Sequence, residues 1–120
     1  MEKRVFIASR FTENMLSKKA KSLGCVISTS QSSFDELRNE PNLISALKNQ
    51  SLVNTLCKKY GVKVELSPIK FQLIPGDVLF TVAPSELIYE LAKLDEELPD
   101  HVTLTVSKYE VLKKEDFINF

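Results

Sequence analysis

The hydrophobic positions of this chain switch between short continuous runs, strict alternation and helical spacing, and each switch marks an element boundary. Residues 4–8, ending in Val5-Phe6-Ile7-Ala8, form a brief apolar run with the character of a buried strand. Thr12 follows as a helix N-cap, its hydroxyl placed to accept from a free backbone N–H, and Glu13 suits the positive end of the helix dipole. Met15, Leu16, Ala20 and Leu23 then share one helical face, with Lys18, Lys19 and Lys21 mostly on the other, and Gly24 is the stop. Residues 25–28 read as a second short strand and residues 29–32 as a polar loop.

Further along, Ser33 and Glu36 have capping-box spacing and open a short helix that carries Phe34 and Leu37 inward. Pro41 fits the first turn of another helical segment bearing Leu43, Ile44 and Leu47. The five-residue step from Leu47 to Leu52 breaks the helical period. A second helix, capped by Ser51, therefore carries Leu52, Val53, Leu56 and Tyr60 and ends at Gly61. Residues 63–66 alternate as a short strand limited by Pro68. Ile69, Phe71 and Leu73 alternate with polar neighbours, and Val78, Phe80 and Val82 resume the alternation beyond Pro75-Gly76-Asp77, which predicts a hairpin. Leu87, Leu91, Leu94 and Leu98 predict a helix over about 84–98, ended by Pro99. Val102, Leu104 and Val106 begin a late strand that can run on through Tyr109 and Val111, and residues 113–120 form a helical turn or a frayed end. The expectation is a single domain over residues 1–120 of the α+β class, with a mixed sheet, a central hairpin and flanking helices.

Composition narrows the function classes. At 120 residues, 43% hydrophobic and 27% charged, the chain suits one compact core and lies far from disordered compositions. Sixteen basic residues balance sixteen acidic ones. Proteins that grip long nucleic acid draw affinity from neutralised phosphates and carry a basic excess, so no long nucleic-acid partner is expected, while a small anion in a local pocket remains open. Cys25 and Cys57, both among apolar neighbours, read as small buried hydrophobes of a reducing compartment. The apolar run after Met1-Glu2-Lys3-Arg4 ends by Ala8, too short for a leader or a membrane span. A cytoplasmic protein with no membrane partner is the expectation.

Two constellations can carry binding chemistry. Ser9-Arg10-Phe11-Thr12 lies where a strand turns into a helix, so free N–H groups favour an anion there and Arg10 can clamp a phosphate. Such turns are common, and an ordinary capped turn with a surface arginine accounts for the same residues. Lys48-Asn49-Gln50-Ser51 sets a cation, two amides and a hydroxyl at a helix start; a polar helix–helix connection is the plainer account. His101 is the only histidine and falls in a loop after Pro99-Asp100, where most histidines are plain surface. There is no zinc ligand group, nucleophile triad, Walker loop or dinucleotide fingerprint, so neither a cofactor nor a metal is expected.

Several of these segments, in this order, resemble a family of small viral and mobile-element proteins that includes the anti-CRISPR ring nucleases, which open cyclic tetra-adenylate. The family's first strand is followed by a segment like Asn-(x)-Phe-Ser-x-Asn-Met-Leu; here Phe11, Asn14, Met15 and Leu16 match it, Thr12 is a conservative replacement and Ser9 stands in place of Asn. Val53-Asn54-Thr55-Leu56-Cys57 is similar to its central helix, Leu73-Ile74-Pro75-Gly76-Asp77 to its hairpin, and Leu98-Pro99-Asp100 to a Leu-Pro-Glu step. The resemblance implies a five-stranded mixed sheet and a homodimer with a ligand cleft across the two-fold axis. Of the family's site it leaves Thr12, Asn14 and Asp100 in place; joined to the two turns above, the candidate ligand site is Ser9, Arg10, Thr12, Asn14, Lys48, Asn49, Gln50 and Ser51. The chain departs from the family in two places: the segment before the central helix, residues 46–51, holds no histidine, and Glu97 replaces an arginine. These departures leave the catalytic residues unassigned and whether it is an enzyme open. An inert relative that binds a cyclic oligonucleotide or a host defence protein is the leading reading. An active nuclease working without the histidine and a purely structural or interaction protein are the alternatives.

Overall fold

The computed structural model describes residues 4–84 and 104–113. Its centre is a five-stranded mixed sheet formed by β1 (Val5–Ala8), β2 (Cys25–Ser32), β3 (Leu43–Ser45), β4 (Val78–Pro84) and β5 (Leu104–Lys113), in the order β2-β5-β4-β1-β3. β1 runs parallel to both of its neighbours, pairing Val5 with Leu43 and with Val78. β5 is antiparallel to β2 and to β4. Among the described residues three α-helices accompany the sheet: α1 (Lys18–Leu23), α2 (Phe34–Arg38) and α3 (Gln50–Lys59).

Alternation assigns the strand side chains to two faces. On one face Val5, Ile7, Val78, Phe80, Val82, Leu104 and Val106 pack against Leu37 of α2 and Leu52, Val53 and Leu56 of α3. On the other, Phe6, Ala8, Leu79 and Val111 meet Met15, Leu16, Phe71 and Leu73. Four consecutive buried residues in β1 follow from this double coverage, which is why the segment reads as an unbroken apolar run.

The fold class agrees with the sequence expectation, and several element assignments are corrected. Thr12 opens only a 3-10 turn, its carbonyl accepting from Met15 N–H at 3.0 Å; the α1 N-cap is Ser17, whose Oγ accepts from Ala20 N–H at 3.0 Å. Gly24 ends α1 with φ 72°, the left-handed value that favours glycine there. Residues 29–32 continue β2 rather than forming a loop, because β5 supplies backbone partners as far as Ser32. Leu43 and Ile44, expected on a helix after Pro41, form β3 against β1. The α3 cap is Asn49, with Oδ1 accepting from Leu52 N–H at 3.2 Å, two residues before the expected Ser51. Residues 63–66 contribute one isolated bridge, Leu66 to Leu47. Cys57 is exposed, not buried; Cys25 is half-buried against the second core cluster, and both are free thiols.

The expected hairpin is also revised. Gly76 and Pro75 do make a turn before β4, but residues 69–72 join no strand, and Leu73 makes a single parallel bridge to Leu16. The antiparallel pair at the centre of the sheet is β4 with β5. The segment from 67 to 74 is a strap across β1 and β3, tied by Ser67 N–H to the Leu47 carbonyl (2.9 Å) and Leu73 N–H to the Met15 carbonyl (2.5 Å). The helix expected over about 84–98, the candidates Glu97, Asp100 and His101, Val102 and residues 114–120 lie outside the described residues, except that Pro84 closes β4 opposite Leu104.

Candidate functional site

A cavity of about 1040 Å³ runs along the strap, from Arg4 just before β1 to the loop beyond the carboxyl ends of β1 and β3. The position has a topological cause. The chain leaves β1 toward one face of the sheet, where Met15 and Leu16 pack, and leaves β3 toward the other, where α3 packs. Parallel strands whose connections part in opposite directions leave a crevice beyond their carboxyl ends, the usual ligand position of open α/β sheets. Ala8 and Ala46 form its back wall, small enough to leave room.

Side chains of opposite character line the cavity. Arg10 and Lys48 stand at the ends of the two strands, exposed, together with Ser9, Thr12 and Asn14. Lys70 adds a third cation from the strap, beside Ile69 and Phe71. Arg4 is the fourth and is already engaged. Its Nε and one terminal nitrogen donate to the Asp77 carboxylate at 3.0 and 2.6 Å, and it also donates to the Gln72 carbonyl at 3.0 Å. The hydrogen bonds that the guanidinium donates to Asp77 raise the Arg4 pKa, so this group is charged at every pH the fold meets. Asp77 additionally accepts from Ile74 N–H at 2.8 Å, which fixes the far end of the strap.

No carboxylate or imidazole is among the described residues that line the cavity. With Arg4 neutralised by Asp77, the three cations Arg10, Lys48 and Lys70 concentrate positive potential locally in a chain of zero formal net charge, and amide and hydroxyl donors supplement it. The lining can bind an anion and stabilise developing negative charge. Among the described residues there is also no group of three or more His, Cys, Asp or Glu that could hold a metal ion.

The two constellations taken from sequence separate on this map. Ser9, Arg10, Thr12, Asn14 and Lys48 converge on the cavity although they lie up to 39 positions apart in the chain, from 9 to 48. Asn49, Gln50 and Ser51 are not among its lining. Asn49 caps α3, Gln50 donates to Asn54 Oδ1 at 2.8 Å along the helix, and Ser51 is half-buried and accepts from Thr55 through its carbonyl. Sequence reasoning missed Arg4, Lys70, Phe71 and Gln72. The signal for the last three was the alternation over residues 69–73, which describes extended backbone equally well whether it pairs in a sheet or bridges a crevice.

No protein-family model matches the chain, and no curated protein matches it in sequence. Among solved structures, it is similar to B116 of Sulfolobus turreted icosahedral virus (STIV), with a TM-score of 0.63 and 14% sequence identity. The likeness covers 89% of this chain and 98% of that one. At this identity it shows a shared fold. No helix among the described residues is long and apolar enough to cross a membrane.

Proposed function

We propose that the protein is a counter-defence or regulatory factor of a virus or mobile element that binds a cyclic oligonucleotide, as a catalytically inert relative of the anti-CRISPR ring nucleases. The observation that carries this reading is the cavity at the ends of β1 and β3, with Arg10, Lys48 and Lys70 facing it and no carboxylate in its described lining. A phosphodiester ring needs cations and hydrogen-bond donors around it, and this lining supplies both. The resemblance of residues 9–16 to the family's first turn supports the reading, because most of those residues stand at the cavity. The viral origin of the structural neighbour supports the biological setting. In this reading the protein acts as a homodimer in the host cytoplasm, with two cavities joined across the two-fold axis.

In this reading inertness rests on the missing imidazole. Ring opening by an in-line 2′-hydroxyl needs a group to protonate the leaving oxygen, and between Ala46 and Ser51 there is a lysine but no imidazole. Proximity and cationic stabilisation alone leave slow cleavage at most.

The test is titration of the protein with a panel of cyclic di-, tri-, tetra- and hexanucleotides, with binding followed by calorimetry and turnover by chromatography. Binding of a cyclic oligoadenylate with slow or no ring opening is expected. Absence of binding to every member of the panel refutes the reading. Rapid turnover that is lost in Lys48→Gln or Arg10→Gln but kept in His101→Ala establishes the enzyme alternative instead.

A further inference from the structure

Large apolar side chains exposed among the described residues are Leu66, Ile69 and Ile74, and two of these three line the cationic cavity. Between them on the strap stands Phe71, half-buried and also lining it. The Phe71 ring is stacked on Phe6 at a centroid distance of 4.6 Å and an interplanar angle of 12°. Phe6 is in turn fixed from β1, with the Arg4 guanidinium 5.1 Å from its ring centroid. The strap thus presents a braced aromatic ring and two aliphatic side chains beside Lys70. A small inorganic anion makes no use of such a surface, and water gains nothing from it. A ligand that joins an anionic group to a flat apolar one uses both halves of the cavity.

We infer that the strap, through Phe71 flanked by Ile69 and Ile74, is the platform on which a nucleobase of the ligand stacks, while Arg10 and Lys48 hold its phosphate. This inference rests on the ligand class proposed above and adds the side chains that select a nucleotide over other phosphates. Stacking of a base on an aromatic side chain is tolerant of base identity, since every base has a π-face. Discrimination should therefore be strong between a nucleotide and a sugar phosphate, and weak between adenine and other bases.

The chain contains no tryptophan, so Phe71→Trp introduces a single reporter at the platform. Its fluorescence should be quenched by AMP and by cyclic tetra-adenylate and left unchanged by ribose 5-phosphate. In calorimetry, Phe71→Leu and the surface variant Ile69→Ser should weaken cyclic tetra-adenylate binding by about fivefold or more, the lower end of measured base–aromatic stacking. Ribose 5-phosphate affinity should not change in either variant, whereas Lys48→Gln should weaken both ligands. Unchanged affinity for cyclic tetra-adenylate in both strap variants overturns the platform while leaving the ligand reading intact. So does equal loss for the nucleotide and the sugar phosphate. Failure of the unmodified protein to bind any of these phosphates refutes the ligand reading and the platform together.

Discussion

Removing Arg4 should destabilise the protein more than neutralising Asp77, although the two residues share one ion pair. The asymmetry comes from burial: the Asp77 side chain is 4% exposed and the Arg4 side chain 44%. Arg4→Met leaves a buried carboxylate with the Ile74 N–H as its remaining described partner. Breaking a fully buried pair from one side costs roughly 3–5 kcal/mol, and the exposure of Arg4 lowers that to about 2–3 kcal/mol. Asp77→Asn keeps an oxygen for Ile74 N–H and lets the guanidinium return to water, so it should cost about 1 kcal/mol. For a domain of this size the arginine variant should melt about 6–15 °C lower, the asparagine variant about 3–5 °C lower. Calorimetry or urea unfolding monitored by circular dichroism measures both. The double variant should be more stable than Arg4→Met alone, since it removes the stranded charge. The reasoning fails if Arg4→Met costs no more than Asp77→Asn, or if the double variant loses the sum of the two.

Phe80→Ala should cost about 3–5 kcal/mol, because the ring is completely buried between β4 and the helices, and Phe71→Ala clearly less, because half-exposed Phe71 packs on one side only. Parallel urea titrations that rank them the other way would contradict the half-exposed placement of Phe71 on the strap. Lys108 has its pKa raised, chiefly by its hydrogen bond to Glu36 (2.7 Å) and further by the charges of Glu36 and Glu110. A raised pKa means the charged form is favoured by folding, so its contribution is complete below the ordinary lysine value of 10.5 and is lost as pH climbs past it. The urea midpoint should fall above that pH in the native protein and fall less in Lys108→Met; equal slopes would exclude the pair. Light scattering at micromolar concentrations should give the mass of a homodimer, and a monomeric mass removes the shared two-fold cleft.

Legibility in the sequence followed the physical source of each signal. β1 and β4 were readable because their burial is written in their own residues, as a continuous run and as alternation. Leu43-Ile44-Ser45 was not, since three residues are too few to show a period, and only pairing with β1 makes them a strand. Thr29, Ser30 and Gln31 gave no strand signal because they are exposed on β2, the edge of the sheet; their extended form is imposed by β5. The cap of α3 was misplaced because Asn49 and Ser51 are both competent acceptors, and the start of the helix decides between them. At the cavity, Ser9, Arg10, Thr12, Asn14 and Lys48 were found as two separate turns. Their convergence depends on the parallel pairing of β1 with β3, a long-range fact that no local pattern carries. The strap was misread for the opposite reason: its pattern was real, and its partner was the sheet face rather than a neighbouring strand.

The place of β5 between β2 and β4 also dictates a sequence of events at the ribosome. Residues 25–32 leave the exit tunnel early, yet the partners of β2 are residues 106–113. At 5–20 residues per second the first segment waits roughly 4–15 s for the second. Until then the sheet can exist only as β4, β1 and β3, and β2 travels with both of its edges bare. An apolar segment of that length would invite other nascent chains to pair with it. The run Ser28-Thr29-Ser30-Gln31-Ser32 is rich in hydroxyls and poor in apolar side chains, a composition ill suited to such pairing.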